Sequence, residues 1–162
     1  MKWIVLPAFW LVYWGVCFLC TGTDEKNLAG LRSYPDEVQT AVRERLGKDA
    51  PGAKSIPSIL LGNLLLFTAL FSVLGLAVKN AFPFDNYLEA FWYFLLLGEG
   101  LGLFDLVVID LLWWRNTRRV RFSYLPDAAP YQVPSKHIGS FVRGIPLFAV
   151  VAALSAAVVT LL

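Results

Sequence analysis

Charge is what this sequence has least of: 16% of its 162 residues are Asp, Glu, Lys or Arg, against about 25% in an ordinary soluble domain. That shortage weighs against a soluble enzyme and against a disordered tail. The net charge of +2 is too small for the basic footprint of a nucleic-acid binder, so no nucleic-acid partner is expected. Only two cysteines are present. Cys17 and Cys20 lie in one apolar run, where they offer no disulfide framework and suit small apolar packing. A single histidine, His137, lacks the partners for a metal site, and neither a metal nor a cofactor is expected. There is no serine elbow and no metal-ligand spacing. What fills the space is apolar: 57% of residues are hydrophobic and the mean hydropathy is +0.60.

A helix needs about 20 apolar residues to cross a hydrocarbon core about 30 Å thick. Residues 3–23, 55–78 and 144–162 carry no charge, and residues 88–114 are apolar apart from Glu89, Glu99, Asp105 and Asp110. The expected fold is all-α, a single integral membrane domain over residues 1–162. It comprises four transmembrane helices near 3–21, 57–78, 88–114 and 140–162 and a short cytoplasmic amphipathic helix. With four spans, the loops 22–56 and 115–139 share one side of the bilayer. That side holds twelve of the fourteen basic residues, counting Arg143 at its edge, while Lys2 and Lys79 stand on the other. The positive-inside rule then puts both loops in the cytoplasm and both termini outside, in the cytoplasmic membrane of a cell. Phe82, Phe84, Tyr87, Trp92 and Tyr93 at one end of the third span, and Trp113 and Trp114 at the other, suit the aromatic belts of the interfaces. A cleavable leader ending at Cys20 is the competing view of the N-terminus. Phe18 and Leu19 are poor residues before a cut, and cleavage would export the basic first loop.

In the first loop, Pro35, Asp36 and Glu37 suit a helix start, Val38, Ala41, Val42 and Leu46 recur at helical spacing, and Gly47 suits the exit. This is the amphipathic helix, expected against the inner leaflet or on the cytoplasmic end of the bundle. The second loop opens on Arg115, Arg118, Arg119 and Arg121, a run that fixes topology and is attracted to anionic lipid. Residues 124–134, with Pro126, Pro130 and Pro134, read as an extended strap. His137 falls at the membrane edge in an interfacial role, with proton handling the alternative.

The third span carries the polar signal. At 100° per residue with Glu99 at zero, Asp110 falls near 20°, Gly102 near −60°, Gly98 near −100° and Asp105 near −120°. Leu97, Leu101, Phe104, Val108 and Leu112 occupy the opposite side, between about 140° and 220°, and are expected to meet lipid. Gly98-x-x-x-Gly102 allows close approach of another helix. Asn63, Asp110 and Arg143 come to similar depths on three spans and are expected to form an interhelical polar cluster. Glu99 and Asp105 have no basic residue at their depth. Burial disfavours a charged carboxyl, so they are expected to be protonated and bonded to Thr68, Ser72 or Ser155, or to line a wet cavity and exchange protons or cations.

The run Asp110-Leu-Leu-Trp-Trp-Arg-Asn-Thr-Arg-Arg, then Tyr131 and Lys136-His137 before a glycine-containing last span, together with Tyr34-Pro-Asp-Glu-Val-Gln39, resembles small uncharacterised bacterial integral membrane proteins. The resemblance covers about a third of the chain. It implies a bacterial cytoplasmic membrane and four spans, and it carries over no activity. Three functions follow as expectations. The first is a proton- or cation-linked transporter or channel subunit using Glu99 and Asp105, assembled as a homo-oligomer or with a partner membrane protein. The second is a non-catalytic accessory or scaffold protein. The third is a lipid-modifying enzyme with Asp110, His137 and Arg143 at the inner interface.

Overall fold

The computed structural model describes residues 4–52, 55–81 and 83–162, and the side chain of Asp49 is not described. Lys2, Trp3, Lys54 and Phe82, which enter the charge and aromatic counts above, lie outside the described residues. Among those described the fold is all-α, without strands. The helices are α1 Val5–Leu19, α2 Asp24–Ala29, α3 Asp36–Leu46, α4 Ile56–Val78, α5 Tyr87–Phe104 and α6 Ser135–Leu161, and a π-helix over Asp105–Trp114 follows α5 directly. Short 3-10 turns occupy Leu31–Ser33, Gly47–Asp49 and Ala129–Gln132.

Local chemistry accounts for most of the helix ends. The Thr23 hydroxyl accepts the Lys26 N–H at 3.3 Å and starts α2, and Ser55 does the same for α4 through the Ser58 N–H. Asn86 accepts the Glu89 N–H at 3.0 Å, while the Glu89 carboxylate accepts the Asp85 N–H at 2.8 Å, a reciprocal cap before α5. Pro35 precedes α3, and Gly47 leaves it at φ +55°, as the spacing predicts. α6 runs through Pro146, which apolar spanning helices tolerate.

By length and composition, Ile56–Val78 and Ala129–Leu161 are apolar and long enough to cross a membrane. α1 has 15 residues and is shorter than a full crossing. The third expected span is not one regular α-helix: 18 residues are α-helical and the next 10 are π-helical.

The chain divides into two compact units, one of residues up to Phe9, 55–103 and 142–162, the other of residues 10–52 and 104–141. The first is packed on phenylalanine. The Phe71 ring stacks with Phe94 and Phe148 at centroid distances of 6.0 and 6.3 Å, and Phe67 meets Phe148 edge-on at 5.1 Å. Two glycines admit these rings. A Cβ on Gly98 would lie 2.7 Å from the Phe148 ring, and one on Gly75 would lie 2.5 Å from Phe94 and 2.7 Å from Val159. The close approach expected at Gly98 is therefore made by an aromatic side chain of α6.

The outward side of the third span agrees with expectation only at Leu112, which is 60% exposed. Leu97 and Leu101, assigned to the lipid face, are 3% and 2% exposed, whereas Trp92, Leu96 and Leu103 are each about half exposed. Tyr93, expected in an interfacial belt, is also buried. The physical reason is that α5 is apolar nearly all round, and hydropathy does not separate a packed leucine from one meeting hydrocarbon.

The second unit has a mixed core of Leu31, Tyr34, Val38, Val42, Trp114, Val120, Phe122 and Tyr131. α3 puts Val38 and Val42 into it, the apolar stripe expected, but packed against protein. The strap expected over 124–134 is corrected: Tyr131 is fully buried and sits in a 3-10 turn. Proline content argued for an extended segment, but the aromatic ring found a core to fill.

Candidate functional site

The polar residues of the second unit meet along the π-helix. In an α-helix Asp105 and Asp110 stand about 140° apart. Hydrogen bonding from i to i+5 widens each turn, so residues five apart return toward the same side. α1 runs beside this segment: Trp10 stacks on Phe104 at 5.1 Å, and Trp14 and Phe18 each meet Trp113 at 6.4 Å. Between these contacts the Tyr13 hydroxyl donates to Asp105 Oδ1 at 3.1 Å.

His137 is the other end of the cluster. The structure places it inside the first turn of α6, 5% exposed, with Nδ1 2.9 Å from Asp110 Oδ2. The hydrogen-bonded role expected for it is made with Asp110, from a buried position. The Trp114 indole covers the imidazole at 5.0 Å and 64°, so carboxylate and indole together fix the ring. Nε2 is buried with no hydrogen-bond partner among the described residues. Its neighbour Lys136 pairs with Asp36 of α3 at 2.6 Å.

Behind Trp114 a hydrogen-bonded aromatic base supports the site. The Tyr34 hydroxyl donates to the Val120 carbonyl at 2.7 Å, and the Tyr131 hydroxyl accepts the Phe122 N–H at 3.1 Å and donates to the Leu125 carbonyl at 3.0 Å. Burial pushes both phenols up from their ordinary range, so they act as neutral donors. Arg115 and Gln132 close the other flank: Nε donates to Oε1 at 3.2 Å and the amide returns a bond to the Arg115 carbonyl at 2.7 Å.

Of the residues singled out from sequence, Asp105, Asp110 and His137 come together in this unit, and Tyr13 joins them without having been anticipated. A tyrosine in an apolar run has no local mark that sets it apart from an anchor. Glu99, Asn63 and Arg143 belong to the first unit. Arg143 is exposed and Asn63 half-buried. Glu99 stands between Leu96 and Leu103 on the outward row of α5, yet is itself half-buried, with Oε1 enclosed and without a hydrogen-bond partner among the described residues. The carboxylate flank is therefore not opposite the exposed side, as the helical wheel had placed it. The hydroxyls expected to serve the acids do otherwise: Ser155 donates to the Thr68 carbonyl at 3.4 Å, and the buried Thr68 and Ser72 hydroxyl oxygens have no partner among the described residues. No cluster of three or more His, Cys, Asp or Glu among the described residues could hold a metal ion.

Comparison with known proteins returns no match: no family model, no curated protein and no solved structure matches this chain.

Proposed function

We propose that this chain is a multi-pass membrane protein that moves protons, a proton- or cation-linked transporter or channel subunit built on Tyr13, Asp105, Asp110 and His137. The observation that carries this reading is the Asp110–His137 pair at 2.9 Å, on the same π-helical segment whose first residue, Asp105, accepts the Tyr13 hydroxyl at 3.1 Å. Asp105, Asp110 and His137 can each give up or accept a proton, and the Tyr13 hydroxyl holds the Asp105 carboxyl in place. Ionisable groups held within a span are costly and serve function by default, and π-helical turns recur at functional sites.

The membrane frame rests on the exposed apolar surface. No residue of α1 is buried, and Leu61, Leu65, Leu66 and Val73 of α4 are all more than half exposed, far beyond what a soluble monomer leaves to water. We read α4 and α6 as two of four spans, with α1 as a short first span and α5 with the π-helix as the third; the basic residues gathered in loops 22–56 and 115–139 favour both termini outside. Glu99 on the outward row needs cover from hydrocarbon, which favours a homo-oligomer or a partner membrane protein.

The test is proton flux into vesicles containing the purified protein, followed with an entrapped pH dye under an imposed potential. Asp105→Asn, Asp110→Asn and His137→Gln should each lower the flux by about a hundredfold, the scale of losing a positioned proton donor or acceptor, with assembly unchanged. A wild-type protein that passes no protons, while these variants lose a co-purifying partner, would make it a scaffold. A carboxylate on Nδ1 is also how a general base is oriented. Lipid turnover lost in a stable Asp110→Asn protein would therefore move the reading to a lipid-modifying enzyme.

A further inference from the structure

An open depression of about 600 Å³ lies between the turn after α1 and the loop after the π-helix, lined by Gly22, Thr23, Asp24, Glu25, Arg118, Arg119, Arg121 and Ser123. Its walls are knit together. Arg119 Nη2 donates to the Phe18 and Thr21 carbonyls at 3.1 and 3.0 Å, and its guanidinium lies 3.8 Å over the Phe18 ring. The Gly22 N–H donates to the Arg119 carbonyl at 3.0 Å, and the buried Asn27 amide donates to the carbonyls of Arg119 and Arg121 at 2.9 and 3.4 Å. Gly22 adopts φ +106°, and a Cβ there would fall 2.6 Å from Arg119 Nη2, so only glycine lets the arginine reach these carbonyls.

The two acids at the rim do not neutralise the site equally. Asp24 is committed to Ser123, accepting its N–H at 2.9 Å and its hydroxyl. Glu25 is exposed. Arg119 is spent on the Phe18 and Thr21 carbonyls and Arg121 Nη1 donates to the Pro126 carbonyl at 3.3 Å, while Arg121 Nε is enclosed with no hydrogen-bond partner among the described residues. Arg118 and the remaining Arg121 N–H groups are left to meet an anion, and guanidinium forks match phosphate oxygens. An apolar track leads from the rim. Leu11, Trp14 and Phe18 recur along one face of α1, 68%, 39% and 38% exposed, with Leu19 beside them at 66%.

We propose that this depression binds the phosphate headgroup of an anionic phospholipid, whose acyl chain lies along Leu11, Trp14 and Phe18. Arg118 and Arg121 hold the phosphate, and Arg119 builds the wall. The proposal rests on the membrane reading of the chain, in which these arginines face the inner leaflet, but not on proton movement.

The experiment uses the full chain purified in mild detergent. Lipid retained in native mass spectrometry and the rise in melting temperature are measured with phosphatidylglycerol, with phosphatidylcholine and with inorganic phosphate at matched ionic strength. Phosphatidylglycerol should be retained and should raise the melting temperature more than phosphatidylcholine does. Arg118→Gln should weaken that preference about fivefold, the worth of one basic residue at an anionic surface, and Arg118→Lys should keep most of it. Arg118 is exposed, so its replacement leaves the packing intact; adding Arg121→Gln should remove the preference. Equal protection by the two lipids, or an unchanged preference in the double variant, overturns the proposal. Equal protection by inorganic phosphate overturns the lipid as its source. Extraction of the protein from membranes by carbonate would instead sink the membrane reading on which the site depends.

Discussion

Phe71 and Tyr131 are both fully buried aromatic residues, each near the centre of its own unit, and they are held in different ways. Around Phe71 the contacts are rings against rings and rings against glycines, and few side chains form hydrogen bonds. Around Tyr131 hydrogen bonds tie the loops together: Phe122 N–H and the Leu125 carbonyl meet its own hydroxyl, the Val120 carbonyl meets Tyr34, and the Arg119 and Arg121 carbonyls meet Asn27. The difference teaches where the chemistry can sit. Shape alone fixes the first unit, and a shape-fitted apolar core has no means of orienting a charged group. The second unit spends hydrogen bonds on its loops, and the same framework holds Trp114 against His137 and so fixes the Asp110 pair.

The largest effect should come from emptying the ring stack. Phe71→Ala is expected to cost about 3–5 kcal/mol of stability, the range for deleting a buried aromatic ring, measured by reversible unfolding in detergent. A change near zero would mean that the phenylalanine packing does not hold the first unit. Next, Tyr131→Phe keeps the ring and removes only the hydroxyl. It should cost about 1–3 kcal/mol, because the buried Phe122 N–H loses its acceptor; a neutral result would erase the contrast between the units. The smallest effect belongs to Lys136→Gln. Its partner Asp36 is 84% exposed, so the loss should stay within about 0.5 kcal/mol and vanish in high salt. A larger loss would show that this ion pair, and not the buried framework, anchors the start of α6.

Much of the architecture was legible because it depends on near neighbours. The uncharged run of α4 and the Pro35-Asp36-Glu37 start and Gly47 exit of α3 are written in consecutive residues, and α3 appears over Asp36–Leu46. α6 starts at Ser135, five residues before the expected 140, because Lys136 and His137 look like loop residues until Asp36 and Asp110 pair with them. The site was half legible. Asp105, Asp110 and His137 stand out as ionisable groups in apolar surroundings, whereas Tyr13 does not. The wheel drawn at 100° per residue put the two aspartates apart, since nothing local in Asp105–Trp114 announces a wider winding.

That the chain is helical, rich in apolar surface and divided between long greasy runs and basic loops is set by near neighbours, because hydropathy and helix capping act over a few residues. Only the tertiary structure decided that Tyr13 reaches Asp105 across 92 positions and that His137 turns inward onto Asp110. The physical reason is that a buried carboxyl takes whichever donor the packing brings to it, and that choice belongs to distant parts of the chain.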